Sequence, residues 1–342
     1  MGSVFYFVIA ATIAAYVVLD GFDLGVGALH RALARTDGER RALLASIGPF
    51  WDGNEVWLIA SGGLLFVAFP QALASALSGM YLAIFLVLWL LIGRGLSIEL
   101  RNHLDDPMWR SLWDTLLVVC SLTLAILLGV ALGNIVRGFQ IDEHGDFALA
   151  LFDDFSPASA SGLLDCYTLA TGVYAALALM LHGARFIALR CAEPLQARAT
   201  KLAHTLAPIC ALALVGLTAM TWWVRPDLVG ELRTRPWIAL ALTVAVAGLF
   251  VAWQREGRAA FVGSVAHLLG LLSATALAAY PELLHARSGI SCSVTSCASA
   301  DVSLRAALVW LPFAMLLALG YLVMLARLNR AKVTVDEVAE TR

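Results

Sequence analysis

Gly48-Pro-Phe-Trp-Asp-Gly-Asn-Glu-Val-Trp-Leu58 leads straight into an apolar run that ends near Phe69. Asp52, Asn54, Glu55 and the backbone bared by Gly53 sit at the mouth of that run, bracketed by Trp51 and Trp57. A carboxylate at membrane depth costs on the order of 3 kcal/mol or more, so such groups turn to a bundle interior and mark ion or proton paths. A second acidic knot, Asp20-Gly-Phe-Asp-Leu-Gly-Val-Gly27, lies just upstream in the first apolar run. The two knots are expected to meet.

Composition sets the same frame. Of 342 residues, 61% are hydrophobic and 14% charged, with a mean hydropathy of +0.82. A soluble domain carries about 25% charged residues. Spanning-length apolar runs recur from end to end, which argues for a polytopic membrane protein over a soluble domain with an anchor. A net charge of −2 without any basic block gives no sign of nucleic acid. The N-terminus shows no basic region and no small-residue cleavage site, so its first run reads as a retained helix.

The fold class expected is all-α, with nine spanning helices of about 20 residues each. Their centres run Val4–Leu19 (continuing to Leu29), Trp51–Phe69, Ala72–Ile92, Leu116–Val136, Leu163–Leu181, Leu206–Val224, Trp237–Trp253, Phe261–Tyr280 and Leu304–Leu325. Helices one to four thus occupy about 1–140, helices five to eight about 160–282, and helix nine about 303–327. Residues 331–342 read as a short polar tail. Seventeen of the 23 Lys and Arg residues fall in loops on one side, Arg31 to Arg41, Arg94 to Arg110 and Arg185 to Lys201 among them. By the positive-inside rule that side is cytoplasmic, with the N-terminus outside and the C-terminus inside. The opposite loops include an acidic one, with Asp142, Glu143, Asp146, Asp153 and Asp154, and a polar one with Cys292 and Cys297. That cysteine spacing permits a disulfide without requiring one, and two free thiols remain the other reading.

In this frame Asp20 and Asp23 lie in the inner half of helix one, and Asp52 and Glu55 in the first turns of helix two. Spacings of three place each pair on neighbouring faces. Gly21, Gly25, Gly27 and Gly53 thin the helix surfaces and allow close approach. Arg94, Arg101 and Asp114 come within reach from helices three and four. Two functional readings stand. Acids in a partly wet cavity can pass protons, or Asp–Arg pairs and helix-end charges can simply hold the bundle together. Asp52 is the leading proton carrier of the first reading. A proton-coupled transporter acting alone is a third possibility from the same acids, although the halves show no matching broken helices.

Of seven histidines, His30, His103, His144, His182, His204 and His285 fall in loops or at expected helix ends, and His267 alone lies well inside a span. A bis-histidine haem site is therefore not expected in this chain. No cysteine spacing suggests a metal site.

The two acidic knots, together with Trp109-Arg-Ser-Leu-Trp-Asp114, Gly129-Val-Ala-Leu-Gly-Asn134 and Gly138, resemble subunit II of the cytochrome bd-type ubiquinol oxidases. These matches cover the first 140 residues or so in order; beyond them only Tyr280-Pro281 echoes the family. The resemblance implies two four-helix bundles with a peripheral ninth helix, in a bacterial or archaeal plasma membrane. It implies a partner, subunit I, that holds two haems b and one haem d (or a third haem b), and it leaves this chain without haem. Quinol would be oxidised and dioxygen reduced to water, with protons drawn from the cytoplasm. Small single-helix accessory subunits and membrane lipid are further expected partners. Asp52 matches the acid of a proposed proton channel at the subunit interface. Asn54 and Glu55 neighbour it, and Asp23 matches a second acid linked to that region or to a structural quinone. Trp51, Trp57, Arg94, Arg101 and Asp114 are expected as supporting or quinone-contacting residues.

Overall fold

The computed structural model describes residues 1–143, 145–158 and 161–336. His144, the boundary expected near residue 160, and the end of the tail including Arg342 lie outside them. In hydrocarbon every backbone N–H and C=O must bond within its own segment, and apolar runs of this length answer with helix. The order is α1 (Gly2–Leu33), α2 (Asp37–Ile47), α3 (Trp51–Ala68), α4 (Pro70–Gly79), α5 (Tyr81–Leu100), α6 (Pro107–Arg137), α7 (Cys166–Arg190), α8 (Leu195–Val224), α9 (Pro226–Thr234), α10 (Pro236–Gln254), α11 (Gly257–Ala279) and α12 (Asp301–Leu328). Eight of these are long and apolar enough to cross a membrane. The remaining long helix, α3, has 18 residues and carries Asp52, Asn54 and Glu55. Helices α2, α4 and α9 are short.

Helices α1, α3, α5 and α6 pack as one four-helix group, and α7, α8, α10 and α11 as a second. The groups meet where α7 lies against α1 and α6, and where α11 lies against α1. Helix α12 stands outside and touches α3, with Leu304 its one buried residue among those described. The all-α fold with two bundles and a peripheral helix is thus as expected.

The third span differs from expectation. Instead of one helix over Ala72–Ile92, the chain forms α4, breaks at Met80 and restarts as α5. Two contacts impose the break. The Gly79 carbonyl accepts from Leu149 N at 3.0 Å, and a Cβ on Gly79 would fall 2.3 Å from the Phe147 ring. The glycines of α1 also serve other neighbours than the acids suggested. A Cβ on Gly25 would meet the Leu179 carbonyl at 2.1 Å, and Gly27 faces Ser121 of α6. These glycines admit α7 and α6, while Gly53 lies under the Tyr321 ring of α12.

Six short strands pair at the end opposite α2: β1 (Phe139–Gln140) with β5 (Ala286–Ser288), β2 (Ala150–Phe152) with β3 (Gly162–Leu164), and β4 (Glu282–Leu284) with β6 (Cys292–Ser293). Cys292 and Cys297 are joined as a disulfide in this region. At the α2 end, the segment after α12 folds back rather than hanging free. Val333 N donates to Arg190 O at 2.8 Å, Ala192 N to Val333 O at 3.0 Å, and Val335 lies against Gly38.

Candidate functional site

Helices α1 and α3 run side by side, so the first turns of α3 stand level with the acids of α1. Asn54 Nδ2 donates to Asp23 Oδ2 at 2.8 Å and to Leu19 O at 3.0 Å. From α5, Arg94 reaches both helices, with Nη1 donating to Asp20 Oδ1 at 2.7 Å and Nη2 to Glu55 Oε1 at 2.5 Å. Asp20, Asp23, Asn54 and Arg94 are buried, whereas the Glu55 side chain is 25% exposed. Tyr16, one turn before Asp20 on the same face, is buried within electrostatic reach of Asp20, Arg94 and Glu55.

Three carboxyls therefore face one guanidinium in a low-dielectric setting, where surplus charge is costly and bound protons relieve it. Five buried polar atoms here make no hydrogen bond of normal length among the described residues: Tyr16 Oη, Asp20 Oδ2, Asp23 Oδ1, Asn54 Oδ1 and Arg94 Nε, with Tyr16 and Asp20 close enough to interact with each other. A buried polar group left unpaired costs about 1–3 kcal/mol. Open valences concentrated at one point suit water bridging them, since buried water takes two to four such partners.

The expected residues divide between this cluster and two other places. Asp20, Asp23, Asn54, Glu55 and Arg94 come together. Asp52 is exposed on the outer face of α3, near enough to Glu55 to act on it electrostatically. Trp57 is buried in α3, and the Trp51 indole rests on Gly95 of α5. Arg101 and Asp114 belong to a separate network nearer the helix ends. Arg101 Nε donates to Asp114 Oδ1 at 2.6 Å and Nη2 to Asp37 Oδ1 at 2.8 Å. His30 Nε2 lies 2.7 Å from Asp114 Oδ1, and Arg40 Nη1 donates to Asp114 Oδ2 at 3.2 Å. Arg41 and Arg110 complete the pairing of Asp37. Burial would raise the Asp37 carboxyl, but hydrogen bonds from Arg101 and Arg41 outweigh it and hold Asp37 below the usual carboxylate range.

Tyr16 and His30 were not among the expected residues. Tyr16 was legible as the residue four before Asp20. His30 lies in the last turn of α1, as expected, but is fully buried; His182, expected at a helix end, is fully buried inside α7, which runs on to Arg190.

The same histidines decide whether this chain suits haem ligation. His182 Nδ1 bonds with Ser264 Oγ at 2.8 Å and Nε2 with Val18 O at 2.9 Å. His267 Nε2 bonds with the Tyr174 hydroxyl at 2.7 Å and Nδ1 with Ala245 O at 2.9 Å. Both nitrogens of each ring are committed, and His30 is enclosed by Asp114 and its arginines. His182 and His267 therefore have no ring nitrogen left for an axial iron bond.

Residues 1–328 match the family model described as cytochrome bd terminal oxidase subunit II. The chain belongs to that family. A relative from Bacillus subtilis (strain 168), cytochrome bd ubiquinol oxidase subunit 2, is 31% identical over 317 residues, 90% of each chain. Cytochrome bd-I ubiquinol oxidase subunit 2 of Escherichia coli (strain K12) is 35% identical over 221 residues, 64% of this chain and 56% of the relative. The solved bd oxidase of Geobacillus thermodenitrificans superposes with a TM-score of 0.75 at 17% identity, covering 96% of this chain and 98% of that chain. That likeness shows the shared fold. Membership makes this chain a multi-pass membrane subunit of a respiratory oxidoreductase.

Proposed function

We propose that this chain is the haemless subunit of a bd-type quinol oxidase. It stabilises the haem-bearing subunit I and helps bring cytoplasmic protons to the site where dioxygen is reduced to water. The names of its relatives supply the reaction and the partner. The observation that carries the proton role is the meeting of buried Asp20, Asp23, Asn54 and Arg94 with the partly exposed Glu55, where five hydrogen-bonding valences stay open. The basic residues gathered at the α2 end, from Arg31 to Arg41, Arg101 to Arg110 and Arg190 to Lys201 among them, support a cytoplasmic location for that end, with the N-terminus outside.

The haems would reside in subunit I, as two haems b and one haem d or a third haem b, and supply the oxygen chemistry there. Within this chain, Asp52 and the half-exposed Glu55 take up protons. Arg94 holds Glu55 and Asp20 at a fixed separation, and Asn54 orients Asp23. Protons then move through Asp20, Asp23 and the Tyr16 hydroxyl over bridging water. A structural quinone beside Asp23, lipid and small accessory helices are further partners of the assembled complex. A transporter acting alone would draw on the same acids, and no separate observation favours it.

The test uses the two-subunit complex. Asp20→Asn is expected to slow quinol-driven oxygen consumption by about 100-fold, the low end of what a lost acid–base step costs, with haem absorbance per complex retained. Unchanged turnover would remove the proton role and leave a scaffold. Haem bound by this chain in isolation would overturn the assignment itself.

A further inference from the structure

A cavity of about 250 Å³ opens between α2, the start of α3 and the end of α5. Its walls include Arg41, Ala45, Glu99 and Asn102, and its apolar side is Trp51 and Ile98. Glu99 and Asn102 are exposed and Arg41 is half-buried, so the rim is polar and wet. One liquid water needs about 30 Å³, so the space holds several.

Helix geometry places this cavity directly over the acid cluster. Trp51 precedes Glu55 by four residues on α3, and Ile98 follows Arg94 by four on α5. Residues four apart stack on one helix face. Each floor residue thus stands one turn above a member of the Glu55–Arg94 ion pair. The Trp51 ring bridges the two helices at that level, because a Cβ built on Gly95 would lie 3.4 Å from its Cζ3. The Trp51 indole thus lies between a polar chamber with room for several waters and the Glu55–Arg94 pair, next to the open valences of Asp20, Asp23 and Tyr16.

We infer that the cavity is the aqueous mouth of the acid cluster, with Glu99 collecting protons at its rim and Trp51 as the gate above Glu55. The inference rests on the proton role proposed above and adds a route through this chain alone, distinct from the outer face where Asp52 lies.

Ala45→Cys in the assembled complex provides a reversible plug. Modification with the charged reagent methanethiosulfonate ethylsulfonate is expected to slow oxygen consumption at least about fivefold relative to the same protein before modification. Dithiothreitol restores it, so misfolding is not at issue. The half-buried Cys166 is replaced by Ser in the background protein; of the other free thiols, burial pushes Cys191 up to about 11, and Cys120 and Cys210 are buried. A second arm follows Glu55→Cys, whose modification should run about tenfold faster when Trp51→Ala is added, as exposure of a thiol governs its reaction. Complete modification of Ala45→Cys without loss of turnover, or equal Glu55→Cys rates with and without the indole, overturns the inference. Should Asp20→Asn slow turnover while the plug does not, the proton role stands and the mouth lies elsewhere. Should neither slow it, the underlying role fails as well.

Discussion

Two polar clusters lie within a few helical turns of each other in the first bundle, and they are built on opposite principles. Around Asp114 and Asp37, two carboxylates are shared among Arg40, Arg41, Arg101, Arg110 and His30, so anions are scarce and cations plentiful. Around Asp20, three carboxyls share Arg94, and five polar atoms keep open valences. A surplus of fixed cations locks carboxylates in their charged form and welds α1, α2, α5 and α6 together. A deficit of cations leaves carboxyls whose charge must be balanced by something that can come and go. The first arrangement resists exchange and the second invites it.

The contrast is broken most forcefully by removing Arg101, which is buried between Asp114 and Asp37. Arg101→Ala leaves the enclosed Asp114 short of its main partner, and losing one member of a buried pair costs about 3–5 kcal/mol. The expected result is loss of assembled complex, read by size-exclusion yield and by the thermal unfolding midpoint. Asp23→Asn should behave the other way. It keeps the side-chain shape while removing a surplus charge, so stability should hold or rise by up to about 1 kcal/mol as turnover falls. A clear destabilisation would mean that Asp23 is a structural anion, and the contrast between the clusters would dissolve.

The smallest effect concerns acid. Burial would raise the Glu39 carboxyl, but the Arg198 side chain and the backbone N–H groups of Arg35 and Thr36 hold it below the usual range, as Arg101 and Arg41 do for Asp37. A carboxyl lowered in the native state stabilises above its unfolded value near about pH 4 and loses that contribution as pH falls through the lowered native value. Glu39→Gln should therefore flatten the fall of thermal stability with acid by about 1 kcal/mol or less, since its partner Arg198 keeps 20% of its side chain in solvent. An unchanged acid profile would show that the α2 pairs do not hold that end.

Much of this architecture was legible because the bilayer sets the length of an apolar run, and nothing in water competes with helix there. The break at Met80 was not, since it depends on Leu149 and Phe147, which arrive from a distant loop. Asp20, Asp23, Asn54, Glu55 and Arg94 could be gathered because intramembrane charge needs a partner. Spacing alone could not say that Asp52 turns outward one residue before Gly53, nor that Arg101 and Asp114 pair with each other instead. His30 was missed for a reason of length. At 32 residues α1 spans about 48 Å by helical rise, well beyond a hydrocarbon core of about 30 Å. Its polar end continues as helix where an apolar window sees a loop.

The fold-back after α12 bears on how this subunit can be handled. Helix α12 buries little beyond Leu304 and its contact with α3, and its hydrogen bonds to the backbone of the rest of the fold flank it: Ser299 to Val67 and Ala68 before it, Val333 to Arg190 and Ala192 after it. Splicing a reporter domain or affinity handle directly behind Leu328 would strip the α7–α8 turn of its edge partner and set the outermost helix adrift at that extremity. The same fusion placed beyond residue 336 leaves the tether whole.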